Sequence, residues 1–225
     1  MTQTEFKAIE NFMLRCMNDS VHDRLHVDRV LNYAVTIADA TDTVDMDVVI
    51  MASLLHDIGR AEERQTPESC HAEIGSRKAF DFLLAQGYCE QTACHVAACI
   101  LTHRYKKSRV PQSIEAQIIF DADKLDLTGT VGTARAILFG AQIGEPLYLL
   151  NDRHMPAQGL PSEEASLFRE YHRKLKYLSG KLYTAKARCI AAEQQKSMDA
   201  YFDHLFAEIN ENYTAGQTIL KKLFP

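Results

Sequence analysis

Apolar residues recur along the chain at three- and four-residue spacing, and few runs alternate apolar with polar strongly enough to suggest strands. The pattern predicts an all-α fold. A first helix is expected over residues 4–17 and a second after Asn18-Asp19-Ser20, whose short polar side chains suit an N-cap. Val27, Val30, Leu31, Ala34 and Ala38 form one stripe of that second helix. Asp45 can cap a third helix, in which Val48, Met51, Ala52 and Leu55 recur as a buried face before Gly59 ends it, so that His56 and Asp57 fall in the last turn. Thr66-Pro67 predicts the start of a fourth helix running to about Gln86 and stopped by Gly87.

A fifth helix is expected over 90–103 and a sixth from about Ser113, with Ile114, Ile118, Ala122 and Leu125 on its stripe. The segment 127–144, with four glycines, predicts a turn and a closely packed helix, and 145–161, with three prolines, a long loop of the kind that borders a site. Two long amphipathic helices follow over 162–184 and 186–213. The expected organisation is a core over 1–145, with the loop and C-terminal helices of 146–225 packed on the same domain. Those helices can also pack on a partner, which leaves a homodimer open.

The 225 residues are enough to bury a substantial core, and 46% hydrophobic and 24% charged residues belong to a globular protein. Lys plus Arg number 25 against 30 Asp plus Glu, a net charge of −5, so no overall basic field exists to hold long nucleic acid. A local basic pocket for a small anion remains compatible. The first thirty residues have no signal-peptide stretch and no run approaches about 18 apolar residues, which predicts a cytoplasmic protein without membrane segments. Six cysteines without a C-x-x-C pair argue against a zinc knuckle or a redox dithiol.

Several metal-capable side chains coincide with apolar helix faces, where an ionised group needs a partner. Asp121 lies between Ile118 and Leu125, His71 begins the stripe Ile74, Lys78-Ala79, Phe82, and His103 continues Val96 and Ile100. His26 flanks Val27 and Val30, and His56 follows Ala52 by one turn. A lone inward histidine is more often a hydrogen-bonded core residue than a ligand, but five helices each turning such a group inward point to one centre. Imidazole with carboxylate suits Mn, Fe, Co, Ni or Zn better than Mg. His22, His95, His154, His172 and His204 lack the pattern and are read as surface residues.

The motifs "HDRLHVDRV" (22–30), "LLHDIGR" (54–60), "HAEIGSRKAF" (71–80) with "ILTHR" (100–104), and "DADKLD" (121–126) resemble the HD-domain metallohydrolase superfamily over roughly residues 20–140. The C-terminal segment "FREYHRKLKYLSGKLYTAKARCIAAE" is similar to the helical tail of stand-alone bacterial HD phosphohydrolases. The resemblance implies an all-α fold in which His26, His56, Asp57 and Asp121 ligate a metal. The HDIG variant, with His71 and His103, looks like the subset that holds two metals bridged by the HD aspartate, here Asp57. His103-Arg104 stands where that subset often has paired histidines, and Arg24 where the stand-alone family often has tryptophan. Arg60 replaces a lysine of the cyclic-dinucleotide phosphodiesterases, and their GYP tripeptide is missing, which disfavours that substrate.

The expected function is hydrolysis of a phosphate ester or anhydride of a small substrate, a nucleotide in the first instance. One or two divalent transition ions would activate water beside Asp57 while Arg60, Arg104, Lys124 and Arg135 hold phosphate charge. Glu62 and Glu63 are candidate bases, though two exposed glutamates after a helix are more often plain surface. Two other functions use the same residues: a di-iron oxygenase acting on a small polar substrate, and a non-catalytic nucleotide-binding module.

Overall fold

A computed structural model describes residues 1–17, 24–66, 68–105 and 109–224. The fold is all-α, and among the described residues the only β pairing is an isolated antiparallel bridge between Leu150 and Pro156. The helices are α1 (Gln3–Cys16), α2 (Arg24–Asp39), α3 (Met46–Leu55), α4 (Arg60–Gln65), α5 (His71–Ala85), α6 (Glu90–Thr102), α7 (Ile114–Leu125), α8 (Gly129–Gln142), α9 (Leu167–Arg173) and α10 (Ala185–Leu223). No described helix is long and apolar enough to cross a membrane.

The chain divides into two compact units. One comprises 1–126 with 182–188, the other 127–181 with 189–225, so the division falls at Asp126/Leu127 and not after residue 145. The displaced boundary follows from the turn after α7: the glycine-rich helix α8 contributes Ala136 and Ile137 to the second unit's core.

Within the first unit, α5 packs on α6, and α2 and α3 pack on each other and on α7, with α6 closing against both α3 and α7. Local sequence sets the helix starts. Thr2 and Glu5 form a capping box on α1, the Asp45 carboxylate accepts from the amides of Asp47 and Val48, and the Ser113 hydroxyl accepts from that of Ala116. α3 is buried on almost every side, from Val48 to Leu55. It ends at Leu55, so His56 is its C-cap and Asp57 and Ile58 lie in a tight turn before the short helix α4.

Three sequence expectations change. The helix expected from Thr66 begins at His71, after a turn, and Pro67 lies outside the described residues, as do the Asn18-Asp19-Ser20 cap and His22. The expected helix 162–184 is the short α9 followed by two 3-10 turns at Leu175–Tyr177 and Ser179–Lys181. The pattern there is amphipathic, but its apolar residues Leu167, Phe168, Tyr171, Leu175 and Leu178 close a core with Met198 and Phe202 of α10, which a turning segment serves as well as a straight helix. Gly59 has an ordinary negative φ of −95° and serves close approach instead of simple termination. A Cβ there would stand 2.3 Å from the His71 carbonyl oxygen and 2.7 Å from the Gly75 nitrogen, both backbone atoms.

Gly59 therefore lets the turn after α3 lie directly on the first turn of α5. Gly59→Ala should lower stability by about 3 kcal/mol through this backbone clash. Chemical denaturation checks it, and a change within 0.5 kcal/mol of wild type, the range of neutral surface substitutions, would contradict the packing described.

Candidate metal centre

The turn after α3 delivers His56 and Asp57, α2 delivers His26, the start of α5 delivers His71, the end of α6 delivers His103 and the last turn of α7 delivers Asp123. All six are buried. They form two groups of three, His26 with His56 and Asp123, and His71 with His103 and Asp57, whose ligand atoms in each group lie within 4.8 Å of one another. Asp57 faces both groups: its Oδ2 is 3.5 Å from the Nε2 atoms of His26 and His56, and its Oδ1 is 3.6 Å from those of His71 and His103.

Hydrogen bonding on the far side of each ring determines what it presents inward. His26 Nδ1 lies 2.7 Å from Asp126 Oδ2, His56 Nδ1 2.8 Å from the Ser53 carbonyl, His71 Nδ1 2.7 Å from Glu63 Oε2 and His103 Nδ1 2.6 Å from the Ile100 carbonyl. Carbonyls and carboxylates only accept, so each Nδ1 carries the donated proton and Nε2 is the nitrogen that each ring turns inward. The inward nitrogens of His26 and His56 are 3.2 Å apart, as are those of His71 and His103. When both rings of a pair are neutral, two lone pairs face each other at that distance beside a buried carboxylate, and a proton or a metal ion between them relieves the repulsion. The residues fit divalent ions on this ground, and imidazole with carboxylate suits Mn, Fe, Co, Ni or Zn.

The surroundings hold the rings in place. Arg29 forks onto Asp126 at 2.6 and 3.1 Å, and that carboxylate orients His26 in the manner of a carboxylate–histidine–metal triad. Glu63 accepts from His71 and from Arg104, the latter at 2.7 Å. Arg60 Nε donates to Asp57 Oδ1 at 3.0 Å, and Lys124 donates to Asp123 Oδ2 at 2.6 Å and to the His103 carbonyl at 3.2 Å. A cleft of about 460 Å³ lined by Glu63, Glu68, Glu73, Arg77 and Arg104, among others, adjoins this group.

Burial pushes His56 down to about 4 and, with help from Arg60, His71 down to about 3, so both stay neutral and ready to ligate at neutral pH. Burial also disfavours charge on Asp123, yet Lys124 and the neighbouring imidazoles hold it well below the usual carboxylate range.

The expected ligand Asp121 is not in either group. Its carboxylate accepts from the amides of Tyr183 and Thr184 and from the Thr184 hydroxyl, at 2.7 to 3.1 Å, and so holds the residues that lead into α10. Asp123 stands in its place. Two residues on, it points about 200° away around the helix. The apolar stripe could not choose between them, because α7 is buried on nearly every side and both faces look like core. Asp123 and Asp126, three apart on one face, were the signal, since both lie against His26. Arg135 lies on α8 in the second unit and is not among the residues the first unit gathers here. Glu62 pairs with Lys78 at 2.6 Å.

Residues 25–128 match the HD domain family model, a span that contains all six clustered residues. This match supports an HD domain over residues 25–128. It is 29% identical over 194 residues to the protein YpgQ of Bacillus subtilis (strain 168), a match covering 84% of this chain and 85% of that one. The crystal structure of B. subtilis YpgQ in complex with ADP resembles it with a TM-score of 0.71 at 26% identity, over 91% of this chain and 97% of the other. An HD-superfamily hydrolase from Bacillus thuringiensis does so with a TM-score of 0.70 at 25% identity, over 92% and 97%.

Two outcomes follow from the HD centre. Asp123→Asn should reduce bound Mn or Co by about 10- to 100-fold in affinity, whereas Asp121→Asn should leave affinity within about threefold and lower thermal stability instead. Isothermal titration with each ion checks both, and the reverse order would restore Asp121 as ligand. In metal-free protein, unfolded His56 and His71 take up protons below about 6.5 while their folded forms stay neutral to about 4 and 3, so stability falls as pH drops from 6.5 toward 4. His26 is raised, because Asp126 and Asp57 outweigh its burial; its contribution is present below 6.5 and is lost only as pH rises. Melting of chelator-treated protein should therefore show a midpoint that declines over that window, less steeply in His56→Gln; a flat profile would contradict the buried neutral imidazoles.

Proposed function

We propose that this HD-domain chain is a metal-dependent phosphohydrolase that cleaves a phosphate ester or anhydride of a small substrate, with a nucleotide as the favoured class. The observation that carries the reading is the shared Asp57: two imidazole-rich clusters meet on one carboxylate, with the Arg60 guanidinium bonded to that same carboxylate. The ADP bound in the related YpgQ structure supports the nucleotide class.

Divalent ions held by these clusters would supply Lewis acidity to a phosphoryl oxygen and make an adjacent water acidic enough to attack near neutral pH. The chain's own residues supply the rest. His26, His56, His71 and His103 are each oriented by a bond at Nδ1, so no ring has to turn before ligation, and burial keeps His56 and His71 neutral. Arg60 and Lys124 bring positive charge to the edge of the clusters, where developing charge on phosphate oxygens is stabilised, and Arg104, exposed beside Glu63, offers a planar fork to a further phosphate. Burial of the ligand carboxylates keeps bulk water from screening these charges.

A second reading keeps the residues and changes the reaction. Four imidazoles around one shared carboxylate also suit a pair of iron ions that activate oxygen on a small polar substrate. Incubation of the protein with Mn, Co, Ni or Mg and nucleoside mono-, di- and triphosphates, with chromatographic resolution of products, separates the two. The phosphohydrolase reading predicts phosphate or pyrophosphate release that Asp57→Ala abolishes and that Arg60→Ala lowers by about 100-fold in kcat/KM. No release with any ion, together with iron-dependent oxygen uptake, would replace it by the oxygenase reading.

A further inference from the structure

Asp121 takes no part in the ligand groups, and its carboxylate clamps instead a segment from a distant part of the chain. Residues 182–188 belong to the first unit, although their neighbours on both sides belong to the second. Asp121 accepts from the amide of Tyr183 at 2.9 and 3.1 Å, from that of Thr184 at 2.7 Å and from the Thr184 hydroxyl at 2.8 Å. Arg188 donates to the carbonyls of Leu182 and Tyr183 at 3.0 and 2.8 Å. Both backbone polar groups of Tyr183 are therefore bonded. That is more restraint than the start of α10 needs, since the Thr184 hydroxyl already accepts from the amide of Ala187 as an N-cap does. What the extra restraint fixes is the Tyr183 side chain.

That ring is tied to the metal centre through α7. It meets Phe120 edge-to-face, with centroids 5.2 Å apart and planes at 81°. Phe120 precedes Asp123 and Lys124 by three and four residues, so the three share one side of the helix within about one turn, roughly 5 Å along the axis. Lys124 Nζ lies 5.0 Å from the centre of the Phe120 ring and 2.6 Å from Asp123 Oδ2. A row thus leads outward from the candidate ligand Asp123 through the Lys124 ammonium and Phe120 to Tyr183. Phe120 is only 2% exposed and has no surface to offer, whereas Tyr183 is half-buried and forms the outer end of the row. Burial, with Asp121 and Tyr105 nearby, pushes the Tyr183 phenol above its ordinary value, so its hydroxyl is neutral at neutral pH.

A nucleotide presents the same order of groups, phosphate first and then, across a ribose, a flat aromatic base. We propose that Tyr183 is the surface on which the base of the substrate stacks, one aromatic contact beyond the phosphate held at Lys124. The inference rests on the nucleotide reading of the metal centre, and it adds what phosphate chemistry alone does not supply, a preference for nucleotides over inorganic phosphates. Stacking tolerates any base, because every base has a π-face, so Tyr183 selects for the presence of a base and not for one base. Asp121 is a positioning residue that acts through the backbone of Tyr183.

The chain has no tryptophan, so Tyr183→Trp places a single indole at this position. The probes are α,β-methylene-ADP, whose P–C–P link resists cleavage, and methylenediphosphonate, the same phosphate chain without adenosine, each titrated into full-length protein loaded with Mn(II). The nucleotide analogue should quench the indole fluorescence of Tyr183→Trp, and saturating methylenediphosphonate should leave it unchanged. By isothermal titration Tyr183→Leu, which keeps apolar bulk against Phe120, should lose about tenfold in affinity for the nucleotide analogue, and Tyr183→Phe should stay within about twofold of wild type. Asp121→Asn should weaken the same probe by about threefold. All three variants should bind methylenediphosphonate as wild type does, which a general loss of structure would not allow. Unchanged affinity of Tyr183→Leu for the nucleotide analogue, a parallel loss of both probes, or a wild type that binds both equally would overturn the stacking and leave the phosphohydrolase reading in place. A wild type that binds neither probe would remove the nucleotide reading and the stacking with it.

Discussion

The first unit is organised around four buried imidazoles whose Nε2 atoms face one another in pairs at 3.2 Å. Such an arrangement is unfavourable for neutral rings alone, since the facing lone pairs repel beside a buried carboxylate. Everything that positions the rings works against this repulsion: a carbonyl behind His56 and another behind His103, Glu63 behind His71, and the Arg29-clamped Asp126 behind His26. A cation resolves the conflict. The fold stores the donor geometry, and binding of an ion there would return stability to it.

That requirement explains features that look unrelated in sequence. The turn after α3 must be tight, so that His56 and Asp57, adjacent in sequence, both turn inward, and it must be thin, so that His71 can approach from α5. Gly59 meets the second demand with its missing Cβ, which lets its backbone lie against those of His71 and Gly75. Arg60, the next residue, then falls on the Asp57 carboxylate, which joins the cation that neutralises the ligand to the turn that positions it. Likewise Lys124, one residue after Asp123, is bonded to that carboxylate and to the backbone of His103, tying α7 to the end of α6.

Much of this was legible before any coordinates. The three- and four-residue apolar spacing reports the helices, and the inward histidines on α2, α5 and α6 and at the end of α3 are the ones brought together. Reading failed where burial stops carrying directional information. Asp121 and Asp123 are both inside, one facing the segment before α10 and one facing the histidines, and hydrophobic periodicity has nothing to say about two buried faces of one helix. It failed again over 162–184, where an amphipathic stripe is satisfied by a short helix and two 3-10 turns. Long-range hydrogen bonds such as Glu63 to His71 were out of reach for a different reason: they join positions eight residues apart across a turn whose path the sequence pattern does not define.

Asp57 faces both groups of candidate ligands, and electron paramagnetic resonance of the protein titrated with Mn(II) tests directly whether it serves two ions. Ions bridged by Asp57 should give the broadened, exchange-coupled spectrum of a pair once two equivalents are bound, and Asp57→Asn should collapse it. An isolated six-line signal that persists unchanged to saturation would mean that the two clusters do not hold ions on a common ligand, and the central claim would fail.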